Sequence, residues 1–154
     1  MNEPMELVIP GDPQSKARPR VYHGHGITPK RTLDAERRIS RIWKDTFPDL
    51  PAATGPIAVN LTFWMASRRG RDWDNLAKLF TDALNGIAWE DDRQIEIATV
   101  TVRRPDRLTP GRNGRPRQRT GKDPLTWHGR EYQPHTHATI HVLREYQPKP
   151  TTTE

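Results

Sequence analysis

Two aspartates separated by one residue lie in an otherwise basic stretch of the chain. Residues Arg68–Lys78 read RRGRDWDNLAK, so three arginines precede Asp72 and Asp74, and Lys78 follows one helical turn after the second acid. Carboxylates that gather at one spot repel one another unless a cation lies between them. Mg²⁺ prefers such oxygen ligands and shares its coordination with phosphate oxygens. The stretch is therefore a candidate site for metal-dependent chemistry on a polyanion.

The same acids have a structural interpretation. If a helix starts near Trp73, an aspartate in its first turn accepts backbone N–H bonds and complements the helix dipole, which is worth ~1 kcal/mol. One aspartate needs no further explanation, whereas two in the pattern D-x-D are harder to assign to capping alone. Lys78 has two interpretations as well: an exposed i,i+4 ion pair with Asp74, or a fixed positive charge that stabilises a transition state beside a metal. Spacing leaves both questions open.

A second acidic group, Glu90-Asp91-Asp92, follows the predicted helix after a turn at Asn85-Gly86. The helix carries the chain away from the D-x-D pair, so a further acid can join that pair only if the chain returns. The segment Gly86–Arg93 leads into the next predicted strand and could carry one acid back along the sheet. Composition alone does not establish this return.

The composition favours an anionic partner. The 154 residues include 25 Lys and Arg against 19 Asp and Glu, a formal net charge of +6, which indicates nucleic acid first and an acidic membrane surface second. The lack of cysteine excludes disulfides, thiolate zinc sites and cysteine nucleophiles. No apolar run approaches the ~18 residues of a membrane span, and the first residues lack a signal-peptide pattern. We therefore expect one soluble, cytoplasmic domain.

Hydrophobic periodicity predicts an α+β fold with the order β-α-β-α-β-β, a mixed sheet and two helices, over residues 1–146. Asp12–Lys30 is predicted to be a long basic loop, and residues 147–154 a disordered tail. The predicted strands and helices are Met5–Ile9, Leu33–Phe47 (helix), Pro56–Met65, Trp73–Asn85 (helix), Ile95–Arg103 and Ala138–Arg144.

Residues 105–134 form a basic insertion between the last two predicted strands. The insertion is too long for an ordinary hairpin loop, so we expect it to be functional or disordered. Trp127 and Tyr132 either stack on unpaired bases or pack locally. Its basic run either contacts DNA or forms a solvated loop; the run comprises Arg112, Arg115, Arg117, Arg119 and Lys122.

Three histidines follow the insertion at alternating positions, His135, His137 and His141. On a strand they share one face, opposite Ala138 and Ile140. Because no acid or cysteine pattern accompanies them, we expect an exposed histidine face rather than a metal site.

Three groups of residues, in this order, resemble the signature of RusA-type Holliday junction resolvases. The resemblance spans about Ile9 to Ile95, and the family's fold agrees with the predicted order of elements. The groups are Pro10-Gly11-x-Pro13-x-x-Lys16-x-Arg18-Pro19-Arg20 with Thr28-Pro29-Lys30; Asp72-x-Asp74-Asn75-x-x-Lys78 with Asp82-Ala83-Leu84-Asn85-Gly86; and Asp91-Asp92-x-Gln94-Ile95.

The resemblance implies a homodimeric, Mg²⁺-dependent endonuclease, for which Mn²⁺ can substitute, that resolves four-way DNA junctions by paired nicks in recombination and repair. It implies Asp72, Asp74 and Asp92 as metal-binding acids and Lys78 as the catalytic lysine; Asp91 and Glu90 are alternatives to Asp92. The residues expected to bind DNA are Lys16, Arg18, Arg20, Lys30, Arg68, Arg69 and Arg71.

Two other functions remain compatible with the residues. One is a non-catalytic basic DNA-binding module whose acids are caps and ion pairs. The other is a nuclease that uses the same metal site on replication forks or flaps. Metal-dependent cleavage separates the first from an enzyme, and the preferred DNA structure separates the second.

Overall fold

A computed structural model describes residues 3–17, 20–145, 147–148 and 150 of the chain. The predicted tail therefore lies largely outside the described residues. The elements are β1 Met5–Pro10, β2 Arg20–Tyr22, β3 His25–Ile27, α1 Lys30–Thr46, β4 Ile57–Trp64, α2 Trp73–Leu84, β5 Ile95–Arg103, β6 Leu108–Pro110, β7 Pro116–Gln118, β8 Thr126–Trp127, β9 Arg130–Glu131 and β10 His135–Val142.

The central sheet has four strands in the order β1-β10-β4-β5. β10 runs antiparallel to both of its neighbours, whereas β4 and β5 run parallel. Side chains alternate between the faces of a strand, and in β4 the residues Ile57, Val59, Leu61 and Phe63 are all buried. The predicted α+β class and the mixed sheet are confirmed.

Both helices cover this apolar face of the sheet. In α2 five apolar residues that recur with a period of about 3.6 residues are buried: Leu76, Leu79, Phe80, Ala83 and Leu84. In α1 the same period buries Ile39 and Trp43. The helices contact each other, and the Ser40 hydroxyl donates a hydrogen bond of 2.7 Å to the carbonyl oxygen of Ala83. No helix in the described part of the chain is long and apolar enough to cross a membrane.

The connection from β4 through α2 to β5 determines where the candidate residues lie. Because β4 and β5 are parallel, α2 must carry the chain from the end of β4 back to the edge where β5 begins. Residues that follow either strand therefore lie at one edge of the sheet, and residues that precede either strand lie at the opposite edge. The 12 residues of α2 span about 18 Å, which sets the scale of this separation.

Several predicted boundaries and loops differ from the structure. The predicted loop Asp12–Lys30 contains the hairpin β2–β3, whose turn uses positive φ at His23 and Gly24 as tight hairpin turns require. Strands of three residues are too short to show alternation, so the sequence pattern missed them. Helix α1 begins three residues earlier than predicted, directly after Pro29, and the last strand also begins three residues early.

The insertion is folded rather than disordered. Its residues form two small hairpins, β6–β7 and β8–β9, each separate from the central sheet. Interactions between side chains and backbone groups far apart in the insertion hold these hairpins, so no local periodicity indicates them.

Candidate active site

Asp72 and Asp74 lie at the start of α2, on the edge of the sheet where β4 ends. Asp72 occupies the N-cap position, yet its side chain makes no capping hydrogen bond to any described residue. Asp74 accepts one bond, of 2.9 Å, from the backbone N–H of the adjacent Asn75. Both acidic side chains are exposed. Capping therefore does not account for Asp72, and the pair has carboxylate oxygens open to a ligand.

The loop that carries this acid pair is fixed by two residues that spacing did not single out. Asp12 accepts a hydrogen bond of 2.9 Å from the backbone N–H of Ala66 through Oδ1, and its Oδ2 pairs with Arg71 Nη2 at 2.6 Å. Arg104, just after β5, donates from Nη2 to the carbonyl oxygen of Arg71 at 2.8 Å. Asp12 fills the unassigned third position of the first motif, which was the only sequence signal for its role.

Lys78 pairs with Asp82 rather than with Asp74. Its Nζ lies 3.4 Å from Asp82 Oδ2, and the Lys78 side chain is 61% exposed. Side chains at i and i+4 share a helix face, so both Asp74 and Asp82 are within one turn of Lys78. In the structure Lys78 pairs with Asp82. The ammonium remains open to solvent.

Lys16 forms two ion pairs with the helices. Its Nζ lies 2.6 Å from Glu36 Oε1 and 2.9 Å from Asp82 Oδ2, and its side chain is 20% exposed. Burial by itself would lower the pKa of this ammonium, but hydrogen bonds to Glu36 and Asp82 outweigh burial and raise it. Lys16 thus ties the N-terminal segment to α1 and α2. These contacts favour a structural role over the predicted DNA contact.

Asp92 lies at the opposite edge of the sheet from the acid pair. Its Oδ1 accepts a hydrogen bond of 2.7 Å from the indole Nε1 of Trp89, whose side chain is fully buried. The neighbouring Gln94 donates to the carbonyl oxygens of Ala53 and Gly55, at 2.7 and 2.9 Å, just before β4 begins. Helix α2 separates this edge from the acid pair, so one chain does not bring the three carboxylates together.

The expected return of a third acid is therefore not met within one chain. Among the residues that the structure describes, no three acidic or histidine side chains are grouped to hold a metal ion. The physical reason is the parallel pairing of β4 and β5, which places Gly86–Arg93 at the start of β5 rather than at its end. The role of Asp92 as a metal ligand stays a prediction.

The structure distinguishes Asp91 from Asp92 as the candidate third metal-binding acid, which the sequence did not. Asp91 caps a short 3-10 helix: its Oδ1 accepts a bond of 2.8 Å from the N–H of Arg93, and its own N–H donates to Gln94 Oε1 at 2.8 Å. Hydrogen bonds from the Arg93 side chain and backbone lower the pKa of Asp91. The carboxylate of Asp91 is thus occupied, whereas Asp92 has one oxygen on the indole and a second oxygen for a ligand.

Of the basic residues expected to bind DNA, some are held by contacts within the protein and others are exposed. Arg71 is committed to Asp12 and to the carbonyl oxygen of Pro13. Arg69 and Lys30 are exposed. Arg68 is also exposed, and its Nη1 donates to the carbonyl oxygen of Pro105 at 2.9 Å, a neutral acceptor that leaves the positive charge uncompensated. Arg18 and the side chain of Arg20 lie outside the described residues.

The aromatic residues of the insertion pack locally instead of standing free. The rings of Trp127 and Tyr132 lie 5.9 and 5.0 Å from the ring of Trp64, measured between centroids. The Tyr132 hydroxyl donates to the carbonyl oxygen of Met65 at 2.5 Å, and burial raises its pKa to about 12. Of the two interpretations of these aromatics, local packing is confirmed.

The three histidines share the face of β10 that points away from the helices. The residues between them, Thr136, Ala138 and Ile140, are buried, so alternation along β10 places the histidines on the other face. His135 stacks on Trp64, with ring centroids 5.4 Å apart. The predicted sharing of one face is confirmed, but of the predicted exposed histidines only His141 is exposed, whereas His135 and His137 are half-buried.

The fold and the site together define a class of protein: a basic α+β domain with an open acid pair and a lysine on one helix, suited to cleaving a phosphodiester. The family model described as Endodeoxyribonuclease RusA matches residues 10–109, and the chain belongs to this family. The resemblance read from the motifs is thus confirmed, and the chain is an endodeoxyribonuclease. No curated protein matches this sequence closely enough to count as a relative. The family match ends within β6, so most of the insertion lies beyond it.

Proposed function

We propose that this endonuclease resolves four-way (Holliday) DNA junctions by paired, Mg²⁺-dependent phosphodiester hydrolysis in DNA recombination and repair, and that it acts as a homodimer in the cytoplasm. The observation that carries the proposal is the exposed Asp72–Asp74 pair. Asp72 accepts no capping bond from a described residue, Asp74 uses one oxygen for the N–H of Asn75, and the loop before them is fixed by Asp12. Membership of the RusA family supports junction DNA as the substrate.

The acid pair suits a magnesium ion. In phosphate-processing sites Mg²⁺ is usually held by one or two carboxylates, with substrate phosphates and waters completing the octahedron. Asp72 and Asp74 supply such a donor set from two adjacent positions, and Mn²⁺ accepts the same oxygen ligands. When bound, the cation would supply hydroxide at neutral pH and counter the charge of the pentavalent phosphate.

The surrounding cations have separate roles in the proposed reaction. Without a metal the two carboxylates repel DNA, and Arg68 and Arg69, just before them in the chain, offset that repulsion. Lys78, one turn after Asp74, would place its ammonium beside the attacked phosphate, where a preorganised charge stabilises the transition state. Asp82, 3.4 Å from the ammonium, orients that side chain.

A dimer explains the position of Asp92. A junction offers two strands of like polarity to be cut, and two sites related by a C₂ axis, the commonest symmetry of oligomers, match that arrangement. A single chain holds Asp92 at the far end of α2 from the acid pair. We therefore infer that each site takes Asp72 and Asp74 from one protomer and Asp92 from its partner.

Complementation between two inactive variants tests the shared site. In a mixed dimer of one Asp74→Asn chain and one Asp92→Asn chain, shared sites leave one site doubly substituted and the other intact. Sites built within single chains would both be damaged. We expect the mixed dimer to make one nick in a junction, while neither variant homodimer cuts. A mixed dimer that binds junctions and never nicks them contradicts the shared site.

Cleavage of matched DNA structures tests the function itself. Purified protein is incubated with a four-way junction, a fork, a flap and a duplex of the same sequence, with and without Mg²⁺. We expect symmetric paired nicks in the junction only when Mg²⁺ is present. Faster cleavage of forks or flaps would reassign the substrate, and binding without cleavage in any divalent cation would leave a non-catalytic module.

A further inference from the structure

The insertion carries a net positive charge. Residues 105–134 contain seven Arg and Lys against three Asp and Glu. Most of the insertion lies beyond the family match, which ends at residue 109. The matched motifs therefore assign it no role, and its charges need their own explanation.

Both aspartates of the insertion are used to fold it. Asp123 accepts two hydrogen bonds from the Arg117 guanidinium, at 2.9 and 2.7 Å, and one of 2.8 Å from the Thr120 N–H. Asp106 accepts bonds from the Thr126 hydroxyl and from the N–H groups of residues 128 and 129, at 2.8, 3.0 and 2.9 Å. Arg117 is thus a structural residue of the β6–β7 hairpin.

The other cations of the insertion keep their charge. They make no ion pair with any residue in the described part of the chain, where Arg117–Asp123 is the pair that the insertion forms. They are Arg107, Arg112, Arg115, Arg119, Lys122 and Arg130.

The insertion is firmly attached to the central sheet. The Arg103 guanidinium, at the end of β5, lies 4.4 Å from the ring centroids of both Trp64 and Trp127. Cation–π contacts with the two rings, together with the hydrogen bond from Tyr132 to Met65, hold the β8–β9 hairpin against the end of the sheet. Asp106, just before β6, is bonded to this hairpin through Thr126. The basic surface is therefore presented in a fixed orientation.

A groove of about 520 Å³ separates the β6–β7 hairpin from the loop before α2. Arg68 on one side donates to the carbonyl oxygen of Pro105, and Arg119 Nε on the other donates to the carbonyl oxygen of Asp106 at 3.1 Å. Neutral acceptors leave both guanidinium charges in place. The lining residues are Arg68, Asp106, Arg107, Leu108, Gln118 and Arg119.

We propose that this groove and the tip of the β6–β7 hairpin bind the phosphodiester backbone of a DNA arm beside the strand that is cut. Arg68, four residues before Asp72, joins the groove to the candidate active site. Arg107 and Arg119 line the groove, and Arg115 extends the surface towards the tip. Arginine forks suit phosphate oxygens, and such contacts position DNA without reading its sequence. The assignment to a junction arm rests on the proposed function, whereas binding itself needs no metal.

The test compares two pairs of charge-removing substitutions. Arg107→Gln with Arg115→Gln alters two exposed groove and tip residues whose side chains make no hydrogen bond to described residues. Arg41→Gln with Lys44→Gln removes the same charge from the exposed surface of α1. The affinity for a junction is measured without Mg²⁺ by fluorescence anisotropy over a range of salt concentrations, and melting temperatures verify folding.

The slope of log affinity against log salt is negative, and we expect the groove pair to reduce its magnitude by about 1.8, since each lost duplex phosphate contact removes about 0.9. The α1 pair should leave the slope unchanged, and Arg107→Lys with Arg115→Lys should restore it. Equal losses for both pairs would indicate only the general field of a basic protein and overturn the proposal. An unchanged slope for the groove pair would also overturn it, in favour of a protein-binding or solvated segment.

The outcome is independent of catalysis. A groove pair with the expected slope in a protein that cuts no DNA structure would retain the binding surface and remove the proposed function. Normal junction cleavage by a protein whose groove pair leaves the salt slope unchanged would keep the proposed function and reject the binding surface.

Discussion

Replacing Lys16 by methionine separates a structural lysine from a catalytic one. The change keeps most of the side chain's length and removes its charge. In the native protein the ammonium lies 2.6 Å from Glu36 Oε1 and 2.9 Å from Asp82 Oδ2. Without it, carboxylates from α1 and α2 face each other, and Asp82 keeps only its ion pair with Lys78, at 3.4 Å, among the described residues.

The expected loss of stability follows from the exposure of these groups. The side chains of Lys16, Glu36 and Asp82 are 20%, 18% and 24% exposed, so solvent screens the pairs only in part. Fully exposed pairs contribute ~0.2–1 kcal/mol each, and hydrogen bonds to charged groups contribute ~1.5–3 kcal/mol when desolvated. Two pairs of intermediate exposure should therefore contribute about 2 kcal/mol. At ~2–4 °C per kcal/mol for a domain of this size, the Tm should fall by about 4–8 °C.

Lys78→Met is the matched control, because it removes a lysine that shares the same aspartate. Its side chain is 61% exposed and its pair with Asp82 is longer, so its removal should change the free energy of unfolding by a few tenths of a kcal/mol. Its cleavage rate should fall by ~10²–10³, the range for a lost electrostatic stabiliser of a transition state. The Lys16 variant should cut at a nearly normal rate below its Tm.

Thermal unfolding, junction affinity against salt and cleavage rate are measured on both variants. A Lys16→Met protein with the native Tm, whose slope of log affinity against log salt is reduced in magnitude by about 0.9, would refute the structural role. That result would support the DNA contact predicted from the sequence. The pH dependence is a further check. Because the pKa of Lys16 is raised above its ordinary value of 10.5, its stabilising effect is present below pH 10.5 and is lost as the pH rises through the folded value. The stability difference between wild type and variant should shrink only in that alkaline range.

Other predictions test the acids, the assembly and the attachment of the insertion. Asp72→Asn and Asp74→Asn should each bind junctions and fail to cut them. Full cleavage by either variant would contradict the proposed metal site. Sedimentation should give a dimer with one dimer bound per junction, and a monomer that makes both cuts without associating on DNA would contradict the symmetric arrangement. Tyr132→Phe should lose ~1 kcal/mol with the hydrogen bond to Met65 and abolish an absorbance titration step near pH 12. Since that pKa is raised, the contribution of the hydroxyl is present below the ordinary pKa of 10.0 and is lost as the pH rises towards 12.

Local patterns were sufficient for the long elements of the fold. The bounds predicted for β5 are those observed, and the apolar stripe of α2 is buried as its spacing indicates. Each of these features repeats within one element, so a short window of sequence contains the information. The hairpin β2–β3 and the two hairpins of the insertion were missed because their strands have two or three residues. Contacts such as those of Asp106 with residues 20 or more positions away hold the insertion hairpins.

The residues of the candidate site also fall into those that local spacing predicted and those whose position only the tertiary structure determined. Asp72, Asp74 and Lys78 were found from their spacing because they belong to one loop and one helix, where sequence separation sets distance in space. The pairing of Lys16 with two helices and the distance of Asp92 from the acid pair were decided by the tertiary structure. Spacing along a chain determines which residues share a helix face. The parallel direction of β4 and β5 determines which edge of the sheet an acid reaches, and strand pairing between distant segments, rather than any local pattern, sets that direction.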